Sequence, residues 1–327
     1  MRNINLEKVE SQEQIDSLCE IARVVWPVSY THLDVYKRQG EEAFRNGSGA
    51  MKKKIVLVGL GLIGGSLAKA LKLSTEHEVL GVDISDETLL DACSCGAIDR
   101  KATLQDLEEA DMIYLCVYPE EVIRFIEEYG KRLKSDCIVT DTCGIKKQVC
   151  RQMNLLQANG NFIFVGGHPM AGKERSGFSA SDPSIFVGAS YLITPCGAPE
   201  WAVEEVSSLA KGMGFGRVVL TTPEKHDQII AFTSQVPHVL ACAYVMSPRC
   251  REHQGFSAGS YRDVSRVALI NDELWSRLFL DNREALLREI DTLLGNLEKL
   301  RDAVAGQEEG ELRGLLQAAA RIKQEEG

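Results

Sequence analysis

Two stretches of the sequence carry chemistry by residue type and spacing. The first is GLGLIGGS at 59–66, a G-x-G-x-x-G run. Its glycines have separate duties: Gly59 makes the tight turn, Gly61 lets backbone approach a pyrophosphate, and Gly64 lets the following helix lie close to the preceding strand. The amides from Leu62 and Ile63 onward, at a helix N-terminus, would face the phosphates. Nineteen residues beyond Gly64 stands Asp83, closing EVLGVD. A carboxylate there accepts both hydroxyls of an adenosine ribose and repels a 2′-phosphate, and no arginine follows in ISDETLL, so the pattern favours NAD over NADP. Val117, closing MIYLCV, is assigned to the same cofactor site. The second stretch is GGHPMAGKERSG at 166–177, directly after NFIFVG. His168 then sits at a strand's C-terminal end, where open α/β sheets bind ligands. Oxidising an alcohol requires removal of the hydroxyl proton as hydride departs, and a neutral imidazole matches that task near pH 7. On spacing alone, a structural histidine is the alternative.

The elements that must position these groups follow from the apolar pattern. From Lys54 short apolar strands alternate with helical stretches: KIVLVG, SLAKALKL, EVLGVD, DETLLDACSCG, MIYLCV, EEVIRFIEEYGKRL and CIVTD. That alternation predicts a parallel sheet covered by helices, a Rossmann domain. Further strands are expected at 161–167, 190–195 and 217–222. After Pro223 the pattern turns helical throughout, as in IIAFTSQVPHVLACAYV and EALLREIDTLLGNLEKL. The expected architecture is an α/β Rossmann domain over 51–223 followed by an all-α helical domain over 224–327. Residues 1–50 are expected to be a leader outside the fold. Within them, residues 28–39 resemble a translated adapter sequence, residues 1–27 look like the start of an unrelated acetyltransferase, and Met51 looks like a natural start; a native helical extension is the alternative.

Whole-chain properties narrow the class. At 327 residues two cores are expected, since single cores stop growing at roughly 250–300 residues. A formal charge of −10 at pH 7 argues against nucleic acid or an anionic membrane as partner, because both need a basic surface. The ten cysteines include no CxxC pair and read as reduced thiols of a cytoplasmic protein. The six histidines form no HExxH, so no metal is expected. No apolar run reaches the roughly 18–20 residues a membrane span needs.

In order and spacing, GLGLIGGS, VDIS, TDTCGIKK, GGHPMAGKERSG, HDQIIAFTSQVPH and YRDVSRVA followed by LW at 274–275 resemble the prephenate dehydrogenase family of tyrosine biosynthesis, over roughly residues 52–300. The resemblance implies NAD-dependent oxidative decarboxylation of prephenate to 4-hydroxyphenylpyruvate, driven by aromatisation. It implies that His168 hydrogen-bonds the ring hydroxyl and assists its deprotonation, that Arg266 binds a substrate carboxylate, and that His238 ranks third among the catalytic groups. Arginine suits the carboxylate because its planar fork can hold it in a bidentate pair. The resemblance further places Glu174 in a polar network at the site's mouth, with His226, Asp227, Asp263 and Trp275 lining or bracing the pocket. A homodimer through the helical domain is implied in the same way.

Two positions depart from the family pattern. Where many members carry a serine after TD, this chain has Cys143 and Gly144, leaving that contact absent or supplied by Thr142 or Cys143. Where many have histidine in SHLPH, it has Gln235. Cys143 as a nucleophile is disfavoured, since no step needs one. The rival readings are an arogenate or dual-specificity dehydrogenase, against which Arg262 and Arg266 lean toward an anion-rich substrate, another 3-hydroxyacid dehydrogenase, and a non-catalytic dinucleotide sensor. No segment suits an ACT or chorismate mutase domain.

Overall fold

The computed structural model describes residues 52–173 and 175–325; the leader expectation for residues 1–50 and the expected site residue Glu174 lie outside them. The chain divides into two compact units, one of residues up to Cys143 with Met153–Leu220, the other of Gly144–Gln152 with Thr221 onward.

In the first unit eight strands form one sheet. They are β1 (Lys54–Val58), β2 (Glu78–Val82), β3 (Arg100–Lys101), β4 (Met112–Leu115), β5 (Cys137–Asp141), β6 (Phe162–Pro169), β7 (Ser190–Thr194) and β8 (Arg217–Leu220). Their order is β3-β2-β1-β4-β5-β6-β7-β8. The chain therefore reverses direction across the sheet between β1 and β4, the crevice where doubly wound sheets hold ligands. Strands buried on both faces read as continuous apolar runs rather than alternating ones; Ile55 to Val58 of β1 and all of β4 are buried. The helices α1 (Leu62–Ser74), α2 (Asp86–Ser94), α3 (Leu104–Glu109), α4 (Pro119–Tyr129), α5 (Lys147–Gln157) and α6 (Glu200–Gly212) connect the strands. Their starts are encoded locally. Ser85 accepts from Thr88 N to cap α2, Thr103 and Asp106 form a capping box on α3, and Pro119 opens α4, where a missing N–H costs nothing. On one face, Ile55, Leu57 and Tyr114 of the sheet cluster with Leu67 and Leu71 of α1 and Val206 of α6.

One strand departs from the all-parallel expectation. β1 to β6 pair in parallel, but β7 lies antiparallel to β6, with His168 opposite Leu192. A parallel return needs a crossover of a dozen or more residues, usually a helix. Among the described residues between β6 and β7 there are two short 3-10 turns, Phe178–Ala180 and Pro183–Phe186, and the chain doubles back. The helix α6 then provides a crossover, and β8 pairs in parallel with β7.

The second unit adds α7 (Pro223–Ile230), a π-helical turn (Ala231–Gln235), α8 (Val236–Val245), α9 (Gly259–Ser265) continued by a 3-10 turn (Arg266–Ala268), α10 (Asp272–Asp281), α11 (Arg283–Ala305) and α12 (Glu309–Glu325). Pro237 sits at the start of α8 and has no N–H to donate back into the preceding turn, which accounts for the local change of pitch. A buried amide chain ties these helices together. Asn282 Nδ2 donates to Asp227 O at 2.9 Å and to Gln235 Oε1 at 2.8 Å, and Gln235 Nε2 donates to Leu278 O at 3.0 Å. No helix among the described residues is long and apolar enough to cross a membrane.

Candidate active site

The glycine loop joins β1 to α1 at the sheet's reversal point, and each glycine meets a different constraint. Gly59 has φ +87°, and a Cβ there would lie 2.6 Å from Cys116 O and 2.7 Å from Val117 Cγ1. A side chain is excluded by conformation and by space. At Gly64 a Cβ would fall 1.9 Å from Gly59 O, so the first turn of α1 closes directly on the loop. Gly61, the N-cap of α1, is the opposite case: a Cβ would meet nothing within 4 Å, and no side chain caps the helix. Leu62 and Ile63 are the first residues of α1. The helix thus begins with open space over amides that a phosphate can use. Gly65, which the motif does not single out, makes room for Phe178 and Ser181; its Cβ would lie 2.7 Å from the Phe178 ring.

Asp83 lies just beyond the end of β2. Its Oδ2 accepts from Leu60 N at 2.7 Å and its Oδ1 from Ser85 N at 2.9 Å. One carboxylate therefore fixes the glycine loop and the start of the segment leading to α2. The cradle at Gly59 and Gly64, the clear approach at Gly61 and this acid fit a dinucleotide with an unphosphorylated ribose. Val117 follows β4, half-buried beside Gly59, and its carbonyl accepts from Cys143 Sγ at 3.7 Å.

His168 is half-buried near the end of β6, beyond the point where pairing with β5 stops. It shares the C-terminal edge of the sheet with Gly59, Asp83 and Val117. The loop that follows returns across α1: Lys69 Nζ donates to Ser181 O at 2.9 Å and to Ser181 Oγ at 2.8 Å, and Asp182 N donates to Ser66 Oγ at 2.9 Å. Asp141, part of TDTCGIKK but given no role there, ties two nearby segments by accepting from Gly167 N and from Cys143 N. A strand-terminal TD pair was its only sequence signal. The Cys116 thiol is pushed up to about 12 by burial, with the Thr142 hydroxyl beside it pulling the other way.

In the helical unit the structure brings His238 and Trp275 together, their rings stacked with centroids 3.7 Å apart and planes 28° apart. His238 Nδ1 lies 2.8 Å from Ser234 O. A carbonyl only accepts, so Nδ1 carries the hydrogen, and Nε2 is the ring nitrogen that faces another partner. Arg262 on α9 and Arg266 at the start of its 3-10 continuation are four residues apart and exposed, as is Asp263. The Arg266–Ala268 turn packs against α8, which carries His238. His226 is different: its side chain is wholly buried, with Nδ1 2.7 Å from Asp227 Oδ1. The Asp227 carboxylate in turn accepts from Lys146 N at 2.7 Å and Lys147 N at 2.9 Å, at the start of α5.

Comparison with known proteins follows the same division. Residues 67–220 match the family described as prephenate dehydrogenase, nucleotide-binding domain, and residues 222–318 match prephenate dehydrogenase, dimerization domain. The chain is 32% identical over 271 residues to prephenate dehydrogenase of Bacillus subtilis (strain 168), covering 80% of this chain and 72% of that protein. It is 33% identical over 267 residues to cyclohexadienyl dehydrogenase of Zymomonas mobilis, covering 78% of this chain and 90% of that protein. A crystal structure of prephenate dehydrogenase from A. aeolicus, in complex with hydroxyphenyl propionate and NAD+, is similar with a TM-score of 0.76 at 25% identity, over 85% of this chain and 100% of that chain.

Proposed function

The chain belongs to the prephenate dehydrogenase family, and from that premise we propose that it catalyses oxidative decarboxylation of prephenate to 4-hydroxyphenylpyruvate for tyrosine biosynthesis. The observation that carries this reading is the position of His168 on the same sheet edge as the glycine loop and Asp83. NAD, when bound, supplies the acceptor for the hydride that leaves the ring carbon bearing the hydroxyl. His168 takes the hydroxyl proton, so that the oxygen's electron pair forms a carbonyl as the C–H bond breaks. The ring carboxylate then leaves as carbon dioxide; the electrons of the broken C–C bond complete the aromatic ring and pass to the carbonyl oxygen, which takes back a proton to become the phenol. Arg266 holds a substrate carboxylate through its bidentate fork. Arg262 adds positive charge beside it, and His238, stacked on Trp275, offers Nε2 to the substrate.

Residues 51–223 serve as the NAD-binding domain and 224–327 as the substrate and dimerisation domain of a cytoplasmic homodimer. The match of residues 222–318 to a dimerization domain supports that assembly. The testing experiment is a steady-state assay of prephenate and arogenate, each with NAD and NADP. Prephenate with NAD is expected to give the highest kcat/KM. Replacing His168 by Asn should keep NAD binding and cut kcat by about a hundredfold, the scale of a lost acid-base group. Activity with none of the four pairs overturns the reading.

A further inference from the structure

β6 outruns β5. Their parallel pairing ends at Thr140 opposite Val165, while β6 continues through Gly166, Gly167 and His168 with β7 on its other side. The Gly167 N–H, one peptide before His168, points toward the side that β5 has vacated. Backbone donors left there need an acceptor. The Asp141 carboxylate supplies it: Oδ1 accepts from Gly167 N at 3.1 Å, and Oδ2 accepts from Cys143 N at 3.0 Å. Asp141 is wholly buried. Two N–H donors converging on one side chain call for a group that only accepts; an amide of the same shape has to turn its own NH2 toward one of them.

The segment is also confined by close packing. A Cβ on Gly167 would lie 2.4 Å from Tyr191 Oη, 2.7 Å from Asp141 O and 2.9 Å from Thr140 Oγ1. The loop held by Oδ2 is itself anchored to the end of β4, with Thr142 N donating to Leu115 O at 3.2 Å and Cys143 Sγ to Val117 O at 3.7 Å. One buried carboxylate therefore sets the position of the His168 strand against the β4 end of the crevice.

We propose that Asp141 is a positioning residue for His168, holding the imidazole's strand in register with the cofactor side of the site. This rests on the reading of His168 as proton acceptor. The test is a double-mutant cycle of Asp141→Asn and His168→Asn, measuring kcat with prephenate and NAD and, separately, the Kd for NAD. Asp141→Asn is expected to lower kcat by about tenfold to a hundredfold, the range for lost outer-shell support or a small misplacement, with Kd changed by less than about threefold. In the His168→Asn background the same substitution should lower kcat by less than about threefold, because its effect passes through the imidazole. Unchanged kcat in the single variant, or its full loss repeated in the double variant, overturns the positioning role and leaves the proton acceptor intact. Wild-type kcat in His168→Asn overturns the proton acceptor and this role with it. If Asp141→Asn fails to fold, Asp141→Ser, which leaves room for water to satisfy the two N–H groups, goes through the same cycle with the same outcomes.

Discussion

A methyl group at Gly61 meets nothing within 4 Å, and the residue's φ of −69° and ψ of −156° are extended backbone, so Gly61→Ala leaves the free protein intact. Reduced freedom of the unfolded chain favours the variant by about 0.4–1 kcal/mol. Cofactor binding responds in the other direction. The methyl occupies the open approach to the first amides of α1, and losing one hydrogen bond to a charged phosphate costs about 1.5–3 kcal/mol. At about 1.4 kcal/mol per factor of ten, the Kd for NAD should rise roughly tenfold to a hundredfold. Gly64→Ala is the control with the opposite signature: its Cβ would fall 1.9 Å from Gly59 O, and overpacking of this kind costs about 1–3 kcal/mol or more. Thermal melts without cofactor and calorimetric titration with NAD separate the two. A Kd within about twofold of wild type for Gly61→Ala, or a drop in its cofactor-free Tm matching that of Gly64→Ala, refutes the assignment of Gly61 to the phosphate approach.

Arg266→Lys keeps the charge but gives up the fork, so KM for prephenate should rise about tenfold or more while KM for NAD stays unchanged; an unchanged prephenate KM in steady-state assays removes Arg266 from the carboxylate site. Asp106 yields a pH prediction. The Arg100 guanidinium, bonded to it at 2.6 Å and 2.8 Å, is the main cause holding this buried carboxyl well below the usual carboxylate range, with Thr103 and Lys54 adding to it. A lowered folded-state pKa contributes stability that is complete above the unfolded value of about 3.9 and is lost as pH falls from there through the folded value. Urea melts between about pH 5 and pH 2 should therefore show wild type losing more stability than Asp106→Asn; parallel curves for the two proteins contradict the assignment.

The elements around the cofactor loop were legible because short-range rules encode them. KIVLV and MIYL are too uniformly apolar for a half-exposed strand, and glycine spacing with an acid at the end of β2 specifies what can lie over the turn. The direction of β7 was not legible. SYLIT reads as a strand in either sense, and the lack of a crossover helix among the described residues between Met170 and Ala189 decides it; the 3-10 turns there carry no periodicity. The role of Asp141 was not legible for another reason: Gly167, whose amide it accepts, is 26 residues away. Gln235 shows the same limit. In sequence it is a departure from a histidine pattern, whereas in the fold its amide bonds Asn282, 47 residues on, and holds the end of α10. The helical pattern after Pro223 was plain, but the π turn before Pro237 follows from a missing N–H that periodicity does not register.

The two departures from the family pattern bear on which groups can move the proton. Gln235 is 1% exposed and both ends of its amide are committed, so it braces helices, and in the proposed mechanism the histidine beside the substrate is His238. Cys143 is buried, and its thiol donates to the carbonyl of Val117. Thr142 places its hydroxyl beside the Cys116 thiol, which burial keeps protonated at neutral pH. These contacts all anchor the loop after β5 to the end of β4. Side chains engaged in that way stiffen the crevice. With His168 as the proton acceptor proposed above, proton removal depends on the placement of one imidazole, and errors in that placement fall on kcat and not on cofactor affinity. The Asp141 cycle therefore reads turnover and NAD binding separately: a loss confined to Kd would place the carboxylate with the glycine loop, and a loss confined to kcat would place it with His168.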